Sequence, residues 1–180
     1  MLISEEYRQL NRNLHDSSEV YGISGQKYVE HVSDLLHTLG FPEKVPTVLD
    51  YGCGKSTLRQ SLGHVANGAI TADGNWQDYD PCIPGKDMPP KPADLVVCTD
   101  VMEHIEPECL DAVLDDLRRL TKVLLFTIVA TRSAQKTLSD GRNAHLIIEP
   151  AKWWLAKFME RFELVLFQRT DMGEFFVLLE

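Results

Sequence analysis

Residues 47–56, TVLDYGCGKS, hold the densest chemistry in this chain. Asp50 closes an apolar run, Gly52 and Gly54 form a turn, and Ser56, Thr57 and Leu58 open a helix. Glycines at a strand-to-helix turn let the main chain approach a ligand with no Cβ in the way. A carboxylate at the strand end accepts hydrogen bonds from an amine or a hydroxyl. Asp80 in WQDYDP and Asp100 in ADLVVCTD also sit where apolar runs end, with Tyr51, Cys53, Tyr79, Thr99 and Val101 beside these acids. His104 in DVMEH and His145 in GRNAH are candidate general bases, because an unperturbed imidazole titrates near ~6.5. His104 can equally fix its loop by hydrogen bonds, with Glu103 orienting that loop or a ligand. Arg142 and Asn143 offer an anion contact and an amide, or they belong to a loop that caps the next helix.

These residues need a scaffold, and the periodicity supplies one. Helices are expected at 3–14 and 25–39, the second with Val29, Val32, Leu35, Leu36 and Leu39 on one face. Strand 46–51 and helix 56–63 flank the glycine turn. Residues 64–75 hold either a short strand at 69–72 or a surface insertion. A strand follows at 76–81, and then a loop at 82–93 carrying Pro84, Pro89, Pro90 and Pro92. Leu95–Cys98 are apolar in succession, as in a parallel strand (93–100) covered on both faces. Helix 107–121, strand 123–129, a polar loop from 131, helix 150–161 and strands 162–169 and 174–180 complete the chain. The last two read as a hairpin whose turn contains Asp171 and Gly173.

Alternating strands and helices predict an α/β fold: a doubly wound, mostly parallel sheet with a C-terminal antiparallel hairpin. Ligands of such sheets bind outside the strand carboxyl ends. Asp50, Asp80 and Asp100 all fall there, so three polar clusters should meet in one crevice.

The chain has 180 residues, a formal net charge of −9 and 44% hydrophobic residues. One domain is expected. The acidic balance disfavours nucleic acid and anionic membranes. Cys53, Cys82, Cys98 and Cys109 form no C-x-x-C pair and no zinc spacing with histidine, so no metal site is expected. The reading is a cytoplasmic protein with reduced thiols, no signal peptide and no membrane span.

The glycine turn does not fit two common ligands. A P-loop needs glycine five residues before Gly54, where Leu49 stands. A G-x-G-x-x-G dinucleotide turn needs glycine at 57, where Thr57 stands. S-adenosylmethionine, or a turn that binds nothing, remains.

DYGCGKS, YDPCIPG and ADLVVCTDVMEHIEPE resemble the successive motifs of class I S-adenosylmethionine-dependent methyltransferases. With GRNAHLI, the chain is similar to small bacterial and phage-encoded methyltransferase-domain proteins over residues 20–180. The resemblance implies a Rossmann-like fold and S-adenosylmethionine as cofactor. It implies that Asp50 orients the methionine amine through a turn formed by Gly52, Cys53 and Gly54. It implies that Asp80, beside Tyr79, grips the ribose, with Asp73 as competitor, and that Thr99, Asp100 and Val101 flank the methionine. Asp87 is a weak candidate for the adenine. Ser56 replaces the usual third glycine, and the third strand is cut down into the proline-rich loop. The DNA amino-methyltransferase motif is missing after 93–100, and Pro81-Cys82 is misplaced for a cytosine nucleophile, so Cys82 reads as structural. Trp153 and Trp154 pack the core or wall a pocket. The implied activity is methyl transfer to an oxygen or nitrogen of an unidentified acceptor, a small molecule or glycan precursor. Alternatives are methylation of nucleic acid or protein, or a non-catalytic cofactor-binding module. Residues 1–40 would form a lid or substrate wall, or a dimer contact, on a domain at 41–180.

Overall fold

The computed structural model describes residues 1–65, 68–170 and 172–180, without the side chains of residues 64 and 65. Six strands form one sheet in the order β2-β1-β3-β4-β6-β5. They are β1 (Val48–Tyr51), β2 (Trp76–Tyr79), β3 (Ala93–Thr99), β4 (Thr121–Ala130), β5 (Leu164–Arg169) and β6 (Glu174–Leu179). The first four run parallel, and β6 lies antiparallel between β4 and β5. This is the expected doubly wound sheet closed by a hairpin. β2 returns to β3, across β1, through residues 80–92 and without a helix, which accounts for the prolines there.

Period-two alternation of strand side chains builds two cores from one sheet. Val48, Leu95 and Val97 face α2 (Val29–Thr38) and α3 (Thr57–Val65), where Val32, Leu36, Leu58 and Leu62 are buried. Leu49, Val96 and Cys98 face α4 (Leu110–Leu120) and α5 (Ala151–Met159). On α4, Leu110, Val113, Leu114, Leu117 and Leu120 form the buried stripe. Each such leucine contributes roughly 2–3 kcal/mol by leaving water.

α1 (Glu5–Ser17) begins at Ser4, whose hydroxyl accepts the Tyr7 N–H, with Glu5 and Glu6 in the first turn, where acids suit the helix dipole. Glu106 holds its start: the Ser4 N–H and hydroxyl donate to the two carboxylate oxygens at 2.7 and 2.6 Å. The Tyr7 hydroxyl donates to the His104 carbonyl at 2.5 Å.

The structure departs from the sequence reading in detail. Residues 68–72 are turns and not a strand, followed by a single bridge between Asp73 and Trp76. Residues 66 and 67 of that segment, and the hairpin-turn residue Asp171, lie outside the described residues. Two helices start in a 3₁₀ turn, Ser24–Tyr28 before α2 and Pro107–Cys109 before α4. No helix among the described residues is long and apolar enough to cross a membrane.

Candidate active site

A cavity of about 530 Å³ opens where β1, β2, β3 and β4 end. Asp50, Gly52, Cys53, Gly54, Asp80, Thr99, Asp100, Val101, His104 and His145 all border it. Tyr7, Asn11 and His15 of α1 form one wall. Residues Val20–Lys27 and the stretch from Ala130 to Lys136 contribute the others.

The turn after β1 is knit to β2, because the Gly52 and Cys53 N–H groups both donate to the Tyr79 carbonyl, at 2.7 and 3.0 Å. Gly52 has φ +78°, and a Cβ there would collide with the Val101 isopropyl group. Gly54 has φ +51°, and a Cβ there would strike the Gly22 backbone. Both glycines are thus required on two counts, conformation and space. Ser56 occupies the left-handed region at φ +57°, the region glycine adopts without strain. Its hydroxyl accepts from Lys86 Nζ at 2.7 Å, and the same ammonium donates to the Gly54 carbonyl at 2.8 Å.

Asp50 is buried at the end of β1 and makes no hydrogen bond or ion pair among the described residues. Burial pushes its carboxyl up to about 8; Asp78 and Asp80 add to the effect and Lys86 opposes it. An acid left without a partner at a cavity wall is a place where a cationic ligand group gains most. Asp80 accepts the Gly54 N–H at 3.2 Å and the Cys82 N–H at 2.9 Å, and it faces His15 Nε2 at 3.9 Å. Asp73 does not border the cavity; its carboxylate is exposed and pairs with Arg59 at 2.8 Å. Asp100 is a second non-glycine residue in the left-handed region, at φ +55°, and its carboxylate stands 4.0 Å from Lys27 Nζ. Backbone strain of this kind is concentrated at functional sites.

At the other end of the cavity the two candidate bases stand edge to face, with ring centroids 4.7 Å apart. His104 Nδ1 lies 2.8 Å from the Ala144 carbonyl, and His145 Nδ1 lies 2.6 Å from the Arg132 carbonyl. A carbonyl only accepts, so both rings carry the proton on Nδ1 and keep a lone pair on Nε2. Burial lowers both pKa values, that of His104 to about 3, with His145 adding to the effect. Beside them, Glu103 is fully buried: its Oε1 accepts the Ala130 N–H at 3.0 Å, while Oε2 has no partner. Its carboxyl is pushed up, first by burial and then by Asp100. Spacing along the chain gave no metal pattern, yet the fold brings ligating atoms of Glu103, His104 and His145 within 4.8 Å of one another.

Some expected contacts are not made. The Tyr51 and Tyr79 side chains turn into the core, ring centroids 5.0 Å apart, and do not border the cavity. Tyr51 donates to Asp116 at 3.2 Å, and Tyr79 serves the turn only through its carbonyl. Alternation explains this, since each tyrosine neighbours an aspartate that faces the other way. Trp154 is fully buried against Phe158, and Trp153 packs at the rim of the same core. Asp87 accepts the Gly85 N–H, and Arg142 pairs with Asp140; neither borders the cavity. Asn143 spends its amide on the loop: Oδ1 accepts the His145 and Ala134 N–H groups, which positions His145. Burial pushes the Cys82 thiol up to about 12, which leaves no thiolate at neutral pH. His15, Tyr21, Lys27 and Arg132 border the cavity and were not singled out from sequence. They lie on a polar helix face, in the Ser24–Tyr28 3₁₀ turn and in loops, where an apolar periodicity carries no signal for polar residues.

Residues 25–176 match the family model described as a methyltransferase domain. No curated protein matches the sequence. Among solved structures, 1,6-didemethyltoxoflavin-N1-methyltransferase of Burkholderia thailandensis, with 1,6-didemethyltoxoflavin and S-adenosylhomocysteine bound, is similar at TM-score 0.62 and 14% identity, covering 99% of this chain and 90% of that one. The N-methyltransferase NodS of Bradyrhizobium japonicum, in complex with S-adenosylhomocysteine, is similar at TM-score 0.59 and 11% identity, over 96% and 97%. Magnesium protoporphyrin IX methyltransferase of Synechocystis PCC 6803, with S-adenosylhomocysteine bound, is similar at TM-score 0.56 and 17% identity, over 97% and 94%.

Proposed function

The chain belongs to the methyltransferase-domain family, and from that premise we propose that it transfers a methyl group from S-adenosylmethionine to an oxygen or nitrogen of a small-molecule acceptor. The observation that carries this reading is the two-ended cavity. One end offers Asp50, the glycine turn and Asp80; the other offers two imidazoles with free Nε2 lone pairs.

The residues present fit the cofactor. Asp50, buried and without a partner, suits a ligand ammonium. Gly52 packs against Val101 with no side chain of its own and borders the cavity, so its main chain lies bare toward a ligand. Asp80 keeps lone pairs beyond its two N–H contacts and can accept from ribose hydroxyls. When bound, the cofactor supplies an electrophilic methyl group on a sulfonium. Positioning contributes most of the rate, because holding reactants in line replaces a bimolecular encounter.

The remaining task is to remove the acceptor's proton. His145 is the better acceptor of the two, because His104, at about 3, holds a proton too weakly at neutral pH. His104 instead buttresses His145 edge to face. A cavity of about 530 Å³ suits a small molecule or a glycan precursor better than a folded macromolecule, and the net charge of −9 disfavours nucleic acid. The toxoflavin and porphyrin enzymes named above, which share the fold, are named for small-molecule acceptors. Of residues 1–40, those from Ile3 to Lys27 supply one wall of the cavity, while α2 packs on the sheet.

The test is calorimetric titration with S-adenosylmethionine and S-adenosylhomocysteine, followed by a screen of small-molecule acceptors for labelled-methyl incorporation. Saturable binding of both ligands and label in a small product support the reading. Absence of binding at millimolar ligand rules it out, and label appearing only in nucleic acid or protein replaces the acceptor class.

A further inference from the structure

Glu103, His104 and His145 come from two separate segments that follow β3 and β4, and their ligating atoms meet within 4.8 Å at the edge of the cavity. Both imidazoles are already oriented as metal ligands commonly are. Each donates Nδ1–H to a main-chain carbonyl, at 2.8 Å for His104 and 2.6 Å for His145, which fixes the tautomer and presents Nε2. Asn143 locks the second of these by accepting the His145 N–H at 3.0 Å. The third group has an oxygen to spare: Glu103 is fully buried, one oxygen is taken by the Ala130 N–H, and Oε2 has no partner. A buried carboxylate oxygen with no donor costs free energy unless a proton or a cation meets it.

We propose that Glu103, His104 and His145 bind a divalent first-row transition-metal ion at the acceptor end of the cavity. Two neutral imidazole nitrogens and one carboxylate oxygen suit zinc, manganese, cobalt, iron or nickel, and disfavour magnesium and calcium, which take oxygen ligands. Bonds of ~2.0–2.2 Å require the ligand atoms, now within 4.8 Å, to close to roughly 3–3.5 Å when the ion binds. Three protein ligands leave coordination positions open toward the cavity, where His104 and His145 both border it. A cation there attracts an acceptor with an ionisable oxygen and weakens its hold on its proton, the task His145 performs in the metal-free protein. This purpose rests on the methyl-transfer reading; the site itself does not.

The experiment uses the full chain, stripped of metal with a chelator and dialysed. Zinc is titrated by calorimetry and cobalt by visible absorption, and S-adenosylhomocysteine is titrated into the same samples. The expected result is one equivalent of zinc, and cobalt ligand-field bands that saturate at one equivalent. His145→Ala and His104→Ala should each weaken zinc by roughly tenfold or more, while still binding S-adenosylhomocysteine. Glu103→Gln should do the same, and the two histidine variants keep the test decisive if that buried change prevents folding. No saturable binding, or zinc affinity unchanged in the His104→Ala/His145→Ala double variant, overturns the proposal. The two readings fail separately: loss of S-adenosylhomocysteine binding with zinc retained refutes methyl transfer and leaves the cation site standing.

Discussion

Asp50→Asn isolates the charge at the centre of the site. The variant is nearly isosteric and neutral at every pH, so it resembles the protonated form of Asp50. In the folded chain burial holds this carboxyl at about 8, against 3.8 for the free group. Between these values the unfolded chain has lost the proton and the folded chain keeps it. The contribution of Asp50 to stability therefore falls as pH rises, by about 1.4 kcal/mol per unit, and levels off above the folded value. Over the whole window the wild type gives up on the order of 6 kcal/mol that the asparagine variant keeps. Urea denaturation of both proteins from about pH 5 to about pH 9 reads this, because titrations of groups remote from Asp50 cancel in the difference. The expected difference widens in favour of Asp50→Asn up to about pH 8 and then stays constant. A cofactor ammonium docking on Asp50 would ionise it, so binding at neutral pH should release most of a proton, measurable from calorimetric enthalpies in buffers of different ionisation heat. Parallel stability curves for the two proteins would refute the reasoning, since they would mean that Asp50 is already ionised and compensated in the fold.

Gly52→Ala should cost about 1–3 kcal/mol through its left-handed backbone, and more through the clash with Val101; thermal melts should show the loss, and titration should show cofactor binding abolished. Asp80→Ala should weaken S-adenosylmethionine by tenfold or more while Asp73→Ala leaves it unchanged; the opposite ranking by calorimetry would return the ribose role to Asp73. His145→Ala should lower turnover by ~10²–10⁴-fold with S-adenosylhomocysteine affinity intact, and unchanged single-turnover rates would remove it as the base.

The sheet was legible because its signals are local and repeated. The apolar succession Leu95–Cys98, short and rich in valine, suits a strand covered on both faces, and the stripe of α4 has helical spacing. The acids at strand ends were legible for the same reason, since a strand's end fixes where its last residues stand. What local pattern cannot supply is direction. Tyr51 and Tyr79 lie beside site residues in sequence and face the core, because neighbours on a strand point apart. Glu103 shows the converse: acids are normally solvated, so nothing in its type forecasts full burial against the Ala130 N–H. His15 and Lys27 reach the cavity only through the docking of the N-terminal segment, a tertiary event that leaves no periodic trace. Residues 69–72 include the strand formers Ile70 and Thr71 and still form turns, with Ile70 buried in the core by its side chain alone.

The contacts that hold α1 have a kinetic meaning. The helix closes one side of the cavity and is fastened at its start by Glu106, through Ser4, and by the Tyr7 hydroxyl on the His104 carbonyl. Tyr7 and Asn11 are its buried residues, so polar clasps, more than a broad apolar face, keep it in place. Such a segment opens at a lower free energy than the sheet it covers. The expected consequence is that the lifetime of a bound molecule follows how often the clasps let go: a change at Ser4 or Glu106, neither of which borders the cavity, should alter the speed of exchange, measured by stopped flow, more than the affinity.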